Sequence, residues 1–419
     1  MDSLEELSRE DRDAIERLND RQSEMVRQTV SWAEINTGSF NTSGLNTLAP
    51  HIADAFSRLD ADIQLQKTTP FQTVADTGDV IEVQTGPILR AEARTGAPVQ
   101  VVMSGHYDTV FPVDSDFQTI TDLGDGRLNG PGLADMKGGL CLMLEALNAF
   151  EAGPFKDRLG YKIVITPDEE IGNFASAAAL ESVASSGAQI GMTYEPCMEN
   201  GAMSGGRKGS AVFDVVLRGK AAHAGRAHGE GRSAIAAAAE FVAALEGLNG
   251  QREGVTFNTG KIDGGSAVNI VPDLAIVRFG ARAPDADAAA WATAEVDRLA
   301  TAAGRRDGIS VHRHGGFYRP PKPRNSAQQA LFDAVAGTGR ALGLDLEFID
   351  TGGVCEGNNI FAAGVPNVDT LGVHGGRIHS DEEYVRVESF SVRASLSALL
   401  LNRLADGRID AARIKALMP

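Results

Sequence analysis

The alternation of short apolar runs with helical segments in the first half of the chain constrains its fold most strongly. Three of the apolar runs, residues 99–103, 161–166 and 190–194, have the length and composition of buried strands. Strands that alternate with helices predict a mainly parallel sheet covered by helices on both faces. Ligands bind at the carboxyl ends of the strands in such folds. Polar residues that follow these runs are therefore candidates for a common site.

The pattern changes after residue 204. From there the strand-like and helical segments follow the order β-α-β-β-α-β, which is typical of a ferredoxin-like unit. We predict a catalytic domain in two parts, residues 1–208 and 318–419, with an inserted lid or dimerisation domain at 209–317. The predicted fold class is α/β, with a mostly parallel central sheet flanked by helices and an inserted ferredoxin-like α+β domain.

Composition excludes several functions. The formal net charge of -17 argues against nucleic acid or an anionic membrane as the main partner. Three cysteines are too few for a disulfide framework or a thiolate zinc site. The chain has no apolar run long enough to span a bilayer, and its acidic start does not resemble a signal peptide. We therefore expect a cytoplasmic protein.

Imidazole and carboxylate groups follow the three predicted strands. His106 and Asp108 follow the first, and on a continuing strand their side chains would point the same way. One could bind a metal through an imidazole nitrogen, and the other could orient that imidazole. Taken singly, each polar residue also has a structural explanation, such as a hydrogen-bonded strand end, a helix cap or an exposed acidic run.

Taken together, the polar residues predict a metal centre. Two imidazoles and three carboxylates from separate loops form a nitrogen and oxygen ligand set that suits Zn²⁺ or another first-row metal. We assign Asp135 as a bridge between two ions about 3.5–4 Å apart. His106 and Glu195 complete one ion's ligands, and Glu170 and His379 complete the other's. The neighbouring Glu169 remains free to act as a general base on metal-activated water and then as a general acid.

Five stretches resemble the M20 family of metallopeptidases, nearest to its glutamate carboxypeptidase branch. They occur in the family's order over nearly the whole chain: SGHYDTV at 104–110, GPGLADMKGG at 130–139, TPDEEIG at 166–172, YEP at 194–196 and GGRIHSDEE at 375–383. The resemblance implies a two-domain fold, two zinc ions per subunit (cobalt or manganese being possible) and hydrolysis of an amide bond next to a carboxylate. It places the same five residues on the ligand positions and Glu169 on the general base. It also implies that Asp108 orients His106 and that the Asp135–Met136 peptide bond is cis.

The resemblance extends to the inserted domain and the loops around it. His223 matches a histidine that reaches the active site of the other subunit of a homodimer, where it stabilises an oxyanion. Arg282 matches an arginine that grips the substrate carboxylate, and Asn269 matches a substrate contact near it. The remaining predicted substrate contacts are Lys208 at the hinge and Gly353 and Asn358 in a later loop.

Two departures bear on specificity. Cys355-Glu356 stands where the family usually has Ser-Asp, and Arg377 stands where small residues are common, so Arg377 is a hypothetical contact for an acidic substrate. The leading prediction is a carboxypeptidase or N-acyl-amino-acid hydrolase that acts on a peptide or an N-acyl amino acid. The alternatives are a deacetylase or desuccinylase of a biosynthetic intermediate, a dipeptidase on the same fold, and a non-catalytic binding protein.

Overall fold

The protein is described by a computed structural model that covers residues 4–419. A six-stranded sheet lies at its centre. In spatial order the strands are Asp62–Gln66, Ile88–Ala93, Leu159–Thr166, Val99–His106, Ile190–Thr193 and Asn367–Val368. The last four run parallel to one another, and the first two add antiparallel pairs at one side. The sheet is therefore mostly parallel, as predicted.

Helices cover both faces of this sheet. Alternate residues of the strands point to opposite sides: Met103 and Ile163 join the larger apolar core, and Val102 and Val164 join a smaller one. The helices of this part of the chain are Arg9–Asp20, Gln22–Ala33, Thr42–Phe56, Gly138–Glu151, Ala177–Ser185, Ser326–Ala341, Glu356–Ala362, Ser389–Asp406 and Ala411–Lys415. Within residues 4–419 no helix combines the length and apolar character that a membrane crossing requires.

Residues 209–319 form a second sheet with its own core. The spatial order is Thr256–Gly264, Leu274–Ala283, Gly209–Arg218 and Ser310–Arg319, and every neighbouring pair is antiparallel. Helices Ala234–Glu246 and Ala286–Gly304 pack on one face, where phenylalanines such as Phe213 and Phe279 are buried. The strand order is that of a ferredoxin-like unit. The last strand continues two residues beyond the predicted end at 317.

A β-hairpin of the catalytic part, strands Phe71–Val74 and Val80–Val83, packs on the other face of the inserted sheet. Val74 contacts Val216 and Ile276, and Asp76 forms an ion pair of 2.7 Å with Arg278. The sequence predicts a single strand over 81–93 here, which is wrong. Pro87 lacks the N–H that a continuous strand needs, so the chain divides into the hairpin and the separate strand Ile88–Ala93.

Two further differences concern elements near the hinges and the amino terminus. The helical spacing of apolar residues predicts one helix over 9–35. The structure divides it at Arg21, whose side chain forms an ion pair of 3.0 Å with Glu145. The unpredicted strands Met203–Arg207 and Phe348–Thr351 pair in parallel beside the junction with the inserted domain. The remaining short strands are Thr121–Asp122, Arg127–Asn129, Ala222–His223, Ile270–Val271, Gly375–Gly376 and Tyr384–Arg386.

Candidate active site

A cavity of about 690 Å³ lies between the carboxyl edge of the central sheet and the inserted domain. Four of the five predicted metal ligands line it, and the fifth, His106, is fully buried in contact with two of them. His106 ends the strand Val99–His106, and Glu170 and Glu195 follow the two strands beside it in the central sheet. Asp135 and His379 follow short strands of a separate four-stranded sheet. The fold therefore brings the predicted ligand set together at the expected edge of the sheet.

The ligands form two groups that share one residue. In the first group, His106 Nε2 lies 3.1 Å from Asp135 Oδ1 and 3.7 Å from Glu195 Oε1. In the second, His379 Nε2 lies 3.2 Å from both Asp135 Oδ2 and Glu170 Oε2. Within each group one atom from every residue lies within 4.8 Å of the others. Asp135 presents a different oxygen to each group, which is the arrangement of a bridging ligand.

The backbone at these residues has unusual conformations. The Asp135–Met136 peptide bond is cis, as the resemblance implies. His379 has a φ of 63°, in the left-handed region that non-glycine residues seldom occupy. Non-glycine residues with a φ in this region are concentrated at functional sites in proteins, where the surrounding structure holds them in place.

Asp108 lies behind His106 and joins it to the loop that carries both glutamates. Its Oδ1 is 3.3 Å from His106 Nδ1 and accepts the Glu169 backbone N–H at 3.0 Å. Its Oδ2 accepts hydrogen bonds from Ser39 Oγ at 2.7 Å and from the Glu170 backbone N–H at 3.2 Å. The Asp108 side chain therefore fixes both an imidazole and a metal-ligand loop.

Several carboxylates are buried close together, and their crowding shifts the pKa values of the site. Burial raises the pKa of Glu195 to about 8 and that of Glu170 well above its usual value, and the nearby charge of Asp135 adds to both shifts. Burial alone would raise the pKa of Asp135 too, but hydrogen bonds from His106 and His379 lower it. Hydrogen bonds to Asp135 and Glu170 raise the pKa of His379 to about 11. The raised pKa values reflect crowded negative charge, which bound divalent cations would also offset. The nitrogen and oxygen donors of these residues suit zinc.

Glu169 lines the cavity beside the ligands. Its Oε1 accepts a hydrogen bond from the buried Arg319, which also donates to the Glu169 carbonyl at 3.1 Å. A second nitrogen of Arg319 donates to Asn359 Oδ1 at 3.0 Å. Arg319 therefore holds the carboxylate of the predicted general base at the wall of the cavity.

Two buried glutamates have roles that the sequence reasoning missed. Glu383 accepts the backbone N–H groups of Gly132, Ala134 and Asp135 at 2.9–3.2 Å, so it holds the loop that carries the bridging ligand. Glu356 is fully buried and accepts a hydrogen bond from the Thr166 hydroxyl. Burial raises the pKa of both carboxyl groups to about 7. Glu356 stands in the glycine-rich segment GGVCEGNN, which is a signal in the sequence, whereas Glu383 ends the acidic run of Asp381 and Glu382 and is not distinguished by its context.

The predicted substrate contacts divide into two groups. Arg282 and Gly353 line the cavity. Lys208 and Asn358 do not: Lys208 Nζ donates to the Gly254 carbonyl at 2.8 Å, and the buried Asn358 side chain donates to the carbonyls of Lys208 and Pro320. Their hydrogen bonds hold the hinge rather than face the cavity.

His223 and Asn269 lie on the inserted domain and are absent from the lining of the cavity. His223 belongs to the two-stranded ribbon of Ala222–His223 and Ile270–Val271, and its side chain is exposed. The Asn269 carbonyl accepts the backbone N–H of Ala224 at 2.9 Å, which places the two predicted residues close together. Within one chain they do not contact the metal ligands.

The profile of peptidase family M20/M25/M40 matches residues 102–403, well over half of the 419 residues. The chain belongs to this family. The family predicted from the five motifs is thereby confirmed, and the protein is an enzyme of the metallopeptidase type. The match covers both parts of the catalytic domain and the inserted domain between them.

Individual relatives agree with this assignment. Carboxypeptidase G2 of Pseudomonas sp. (strain RS-16) is 25% identical over 93% of this chain and 91% of its own. Succinyl-diaminopimelate desuccinylase of Nitrosospira multiformis is 26% identical over 78% of this chain and 89% of its own. Among solved structures, an M20 family metallo-carboxypeptidase from Sulfolobus solfataricus superposes with a TM-score of 0.71 at 17% identity. That likeness covers 91% of this chain and 99% of the other and confirms the predicted fold.

Proposed function

We propose that this protein is a two-zinc hydrolase that cleaves an amide bond next to a carboxylate in a peptide or an N-acyl amino acid. The observation that carries the proposal is the division of the Asp135 carboxylate between two groups, each with one histidine and one glutamate. The similarity to carboxypeptidase G2 over nearly the full length of both chains supports the same reaction class.

His106, Asp135 and Glu195 would hold one ion, and Asp135, Glu170 and His379 the other. Bound zinc supplies Lewis acidity toward a carbonyl oxygen and toward water. Glu169 is not needed as a ligand and lies at the cavity wall, so it accepts a proton from the attacking water. It then donates that proton to the nitrogen of the leaving amine. Arg319 fixes the position of the carboxylate through both steps.

Arg282 is the proposed receptor for the substrate carboxylate. It lines the cavity, and within the described residues 4–419 its Nη1 donates only to the neutral Ser210 hydroxyl and, at 3.4 Å, to the Ala281 carbonyl. A guanidinium can bind a carboxylate through two parallel hydrogen bonds, which also fixes the orientation of the substrate. The scissile bond is thereby aligned with the metal centre.

His223 is proposed to act across a homodimer. Its exposed position outside its own cavity is consistent with delivery to the cavity of a second subunit, where it would stabilise the oxyanion of the tetrahedral intermediate. Asn269 would accompany it because both residues belong to the same ribbon.

Substitution of the two adjacent glutamates, Glu169 and Glu170, tests the proposal, because the two variants should fail in different ways. Glu169→Gln should keep the metal content of the wild-type protein but lower kcat by roughly 10²–10⁴. Glu170→Gln should lose metal because it removes a ligand. Elemental analysis and hydrolysis of N-acyl amino acids measure both effects. Wild-type activity in Glu169→Gln, or a wild-type protein that neither binds zinc nor hydrolyses any of these substrates, would contradict the proposal.

A further inference from the structure

The cavity contains one arginine whose charge has no carboxylate partner. Among residues 4–419, no acidic side chain forms an ion pair with Arg282, which contacts only uncharged oxygens. Of the other arginines in the lining, Arg207 is paired with Asp369 and Arg319 with Glu169, and the exposed Arg377 lies 3.8 and 3.9 Å from the exposed Glu199 and Glu382. Among residues 4–419, Arg282 is therefore the lining arginine best placed to receive a carboxylate of the ligand.

The wall next to Arg282 is apolar. Arg282 contacts Ser210, and Val212 follows on the same face of the same strand, about 7 Å further along. Val212 is 45% exposed and lines the cavity together with Phe174 and Tyr318. The two aromatic rings meet edge to face, with centroids 4.2 Å apart.

Glycines leave open space over this wall. Gly280 and Gly316 are the register partners of Val212 on the two neighbouring strands. A Cβ atom at Gly316 would meet nothing within 4 Å, and one at Gly280 would meet only the Ala211 carbonyl oxygen at 3.5 Å. Phe71 of the hairpin packs against Phe174, with the ring centroids 5.2 Å apart. The aromatic side chains therefore pack on one another, and the two glycines leave open space beside Val212.

We infer that this wall, formed by Val212, Phe174 and Tyr318, binds a large apolar or aromatic side chain on the residue whose carboxylate Arg282 holds. The inference rests on the proposed function and names its substrate class: peptides or N-acyl amino acids that end in residues such as phenylalanine or leucine. A glutamate side chain would place a second carboxylate against apolar groups, where its desolvation is not offset by a free cation. This class differs from the one that the resemblance to glutamate carboxypeptidases suggests.

The test measures binding separately from turnover. The zinc-loaded Glu169→Gln variant is titrated calorimetrically with N-acetyl derivatives of phenylalanine, leucine, alanine and glutamate, and the wild-type enzyme is assayed for hydrolysis of the same four. We expect the phenylalanine and leucine derivatives to bind at least tenfold more tightly than the other two. Preference for glutamate, or equal binding of all four, overturns the inference. Apolar preference in binding without hydrolysis leaves it standing and contradicts the proposed function instead.

Val212→Asp locates the contact. Because Val212 is partly exposed, the substitution should leave the fold intact while lowering affinity for the phenylalanine derivative at least tenfold and for the alanine derivative less than threefold. Val212→Arg should instead improve binding of the glutamate derivative. Leu65→Asp, at a 39% exposed position on the edge of the central sheet, is the matched control and should change neither. Equal losses for both ligands in Val212→Asp would overturn the assignment of the wall.

Discussion

Asp108 is the residue proposed to orient His106 without being a metal ligand itself. Its carboxylate lies 3.3 Å from His106 Nδ1, and it accepts the backbone N–H groups of Glu169 and Glu170. Asp108→Asn replaces one acceptor oxygen by an amide donor, so it should lower zinc affinity about 10- to 100-fold. Competition with a chelator measures this change.

The control for this variant is Asp122→Asn, an exposed aspartate outside the cavity, which should bind zinc like the wild-type protein. Unchanged affinity in Asp108→Asn would mean that the Asp108 backbone carbonyl, 3.1 Å from His106 Nδ1, is enough to orient the imidazole. The role assigned to the Asp108 carboxylate would then be wrong.

Glu356 makes a pH-dependent contribution to stability in the metal-free protein. Burial raises the pKa of its carboxyl group to about 7 in the folded state, above its ordinary value of 4.5. The folded state therefore keeps a proton that the unfolded state loses, and the free energy of unfolding falls as pH rises from 4.5 to 7. Glu356→Gln removes this loss and should be more stable than wild type at pH 8 by on the order of 2–3 kcal/mol.

At pH 5 the two proteins should differ by less than about 1 kcal/mol, because pH 5 lies only half a unit above the ordinary pKa of 4.5 at which the unfolded state begins to lose this proton. Urea unfolding of metal-free protein at both pH values measures the difference, with the exposed Glu16→Gln as control. The same stability difference at pH 5 and pH 8 would refute a titration effect.

At the scale of elements, the hairpin of residues 71–83 joins the catalytic part to the inserted sheet. The buried Val74 anchors it against Val216 and Ile276. Val74→Asp would place a charge in this small apolar cluster, so the hairpin should detach while the central sheet stays folded. Amide hydrogen exchange should then accelerate at least tenfold in 71–83 and change little in Val99–His106.

Val80→Asp is the control, because Val80 lies in the same hairpin but is 46% exposed. It should leave exchange in the hairpin near the wild-type rate. If Val74→Asp also leaves the hairpin protected, the ion pairs of Asp76 rather than apolar packing hold it.

An element can be predicted from the sequence when the residues that determine it are close together in the chain. The strands near 99–106 and 159–166 were predicted because their apolar runs are continuous and end in polar residues. The packing of the hairpin on the inserted sheet was not predicted, because Asp76 and Arg278 lie about 200 residues apart and no local pattern records their contact. The residues of the predicted ligand set could be named from the sequence because metal chemistry restricts residue types. The hinge roles of Lys208 and Asn358 depend on backbone carbonyls, which every residue carries.

At the scale of the whole molecule, the question is whether His223 acts in the active site of its own chain or in that of a second subunit. Its side chain is exposed on the ribbon of the inserted domain, whereas Glu169 lines the cavity. If His223 acts in a second subunit, each active site combines residues from two chains. A chain that lacks His223 and a chain that lacks Glu169 can then form one intact active site in a mixed dimer. Two chains that are both damaged in the cavity cannot.

Co-expression of His223→Ala and Glu169→Gln chains with different tags tests this arrangement. In a doubly tagged heterodimer, the cavity of the His223→Ala chain keeps Glu169 and receives His223 from its partner, so about half of the wild-type kcat should return. The matched control pairs Glu169→Gln with Glu170→Gln, which damage the same cavity position in both chains and should stay inactive. A heterodimer no more active than its parents would place His223 in its own site or outside catalysis. Failure to isolate any doubly tagged species would contradict the homodimer itself.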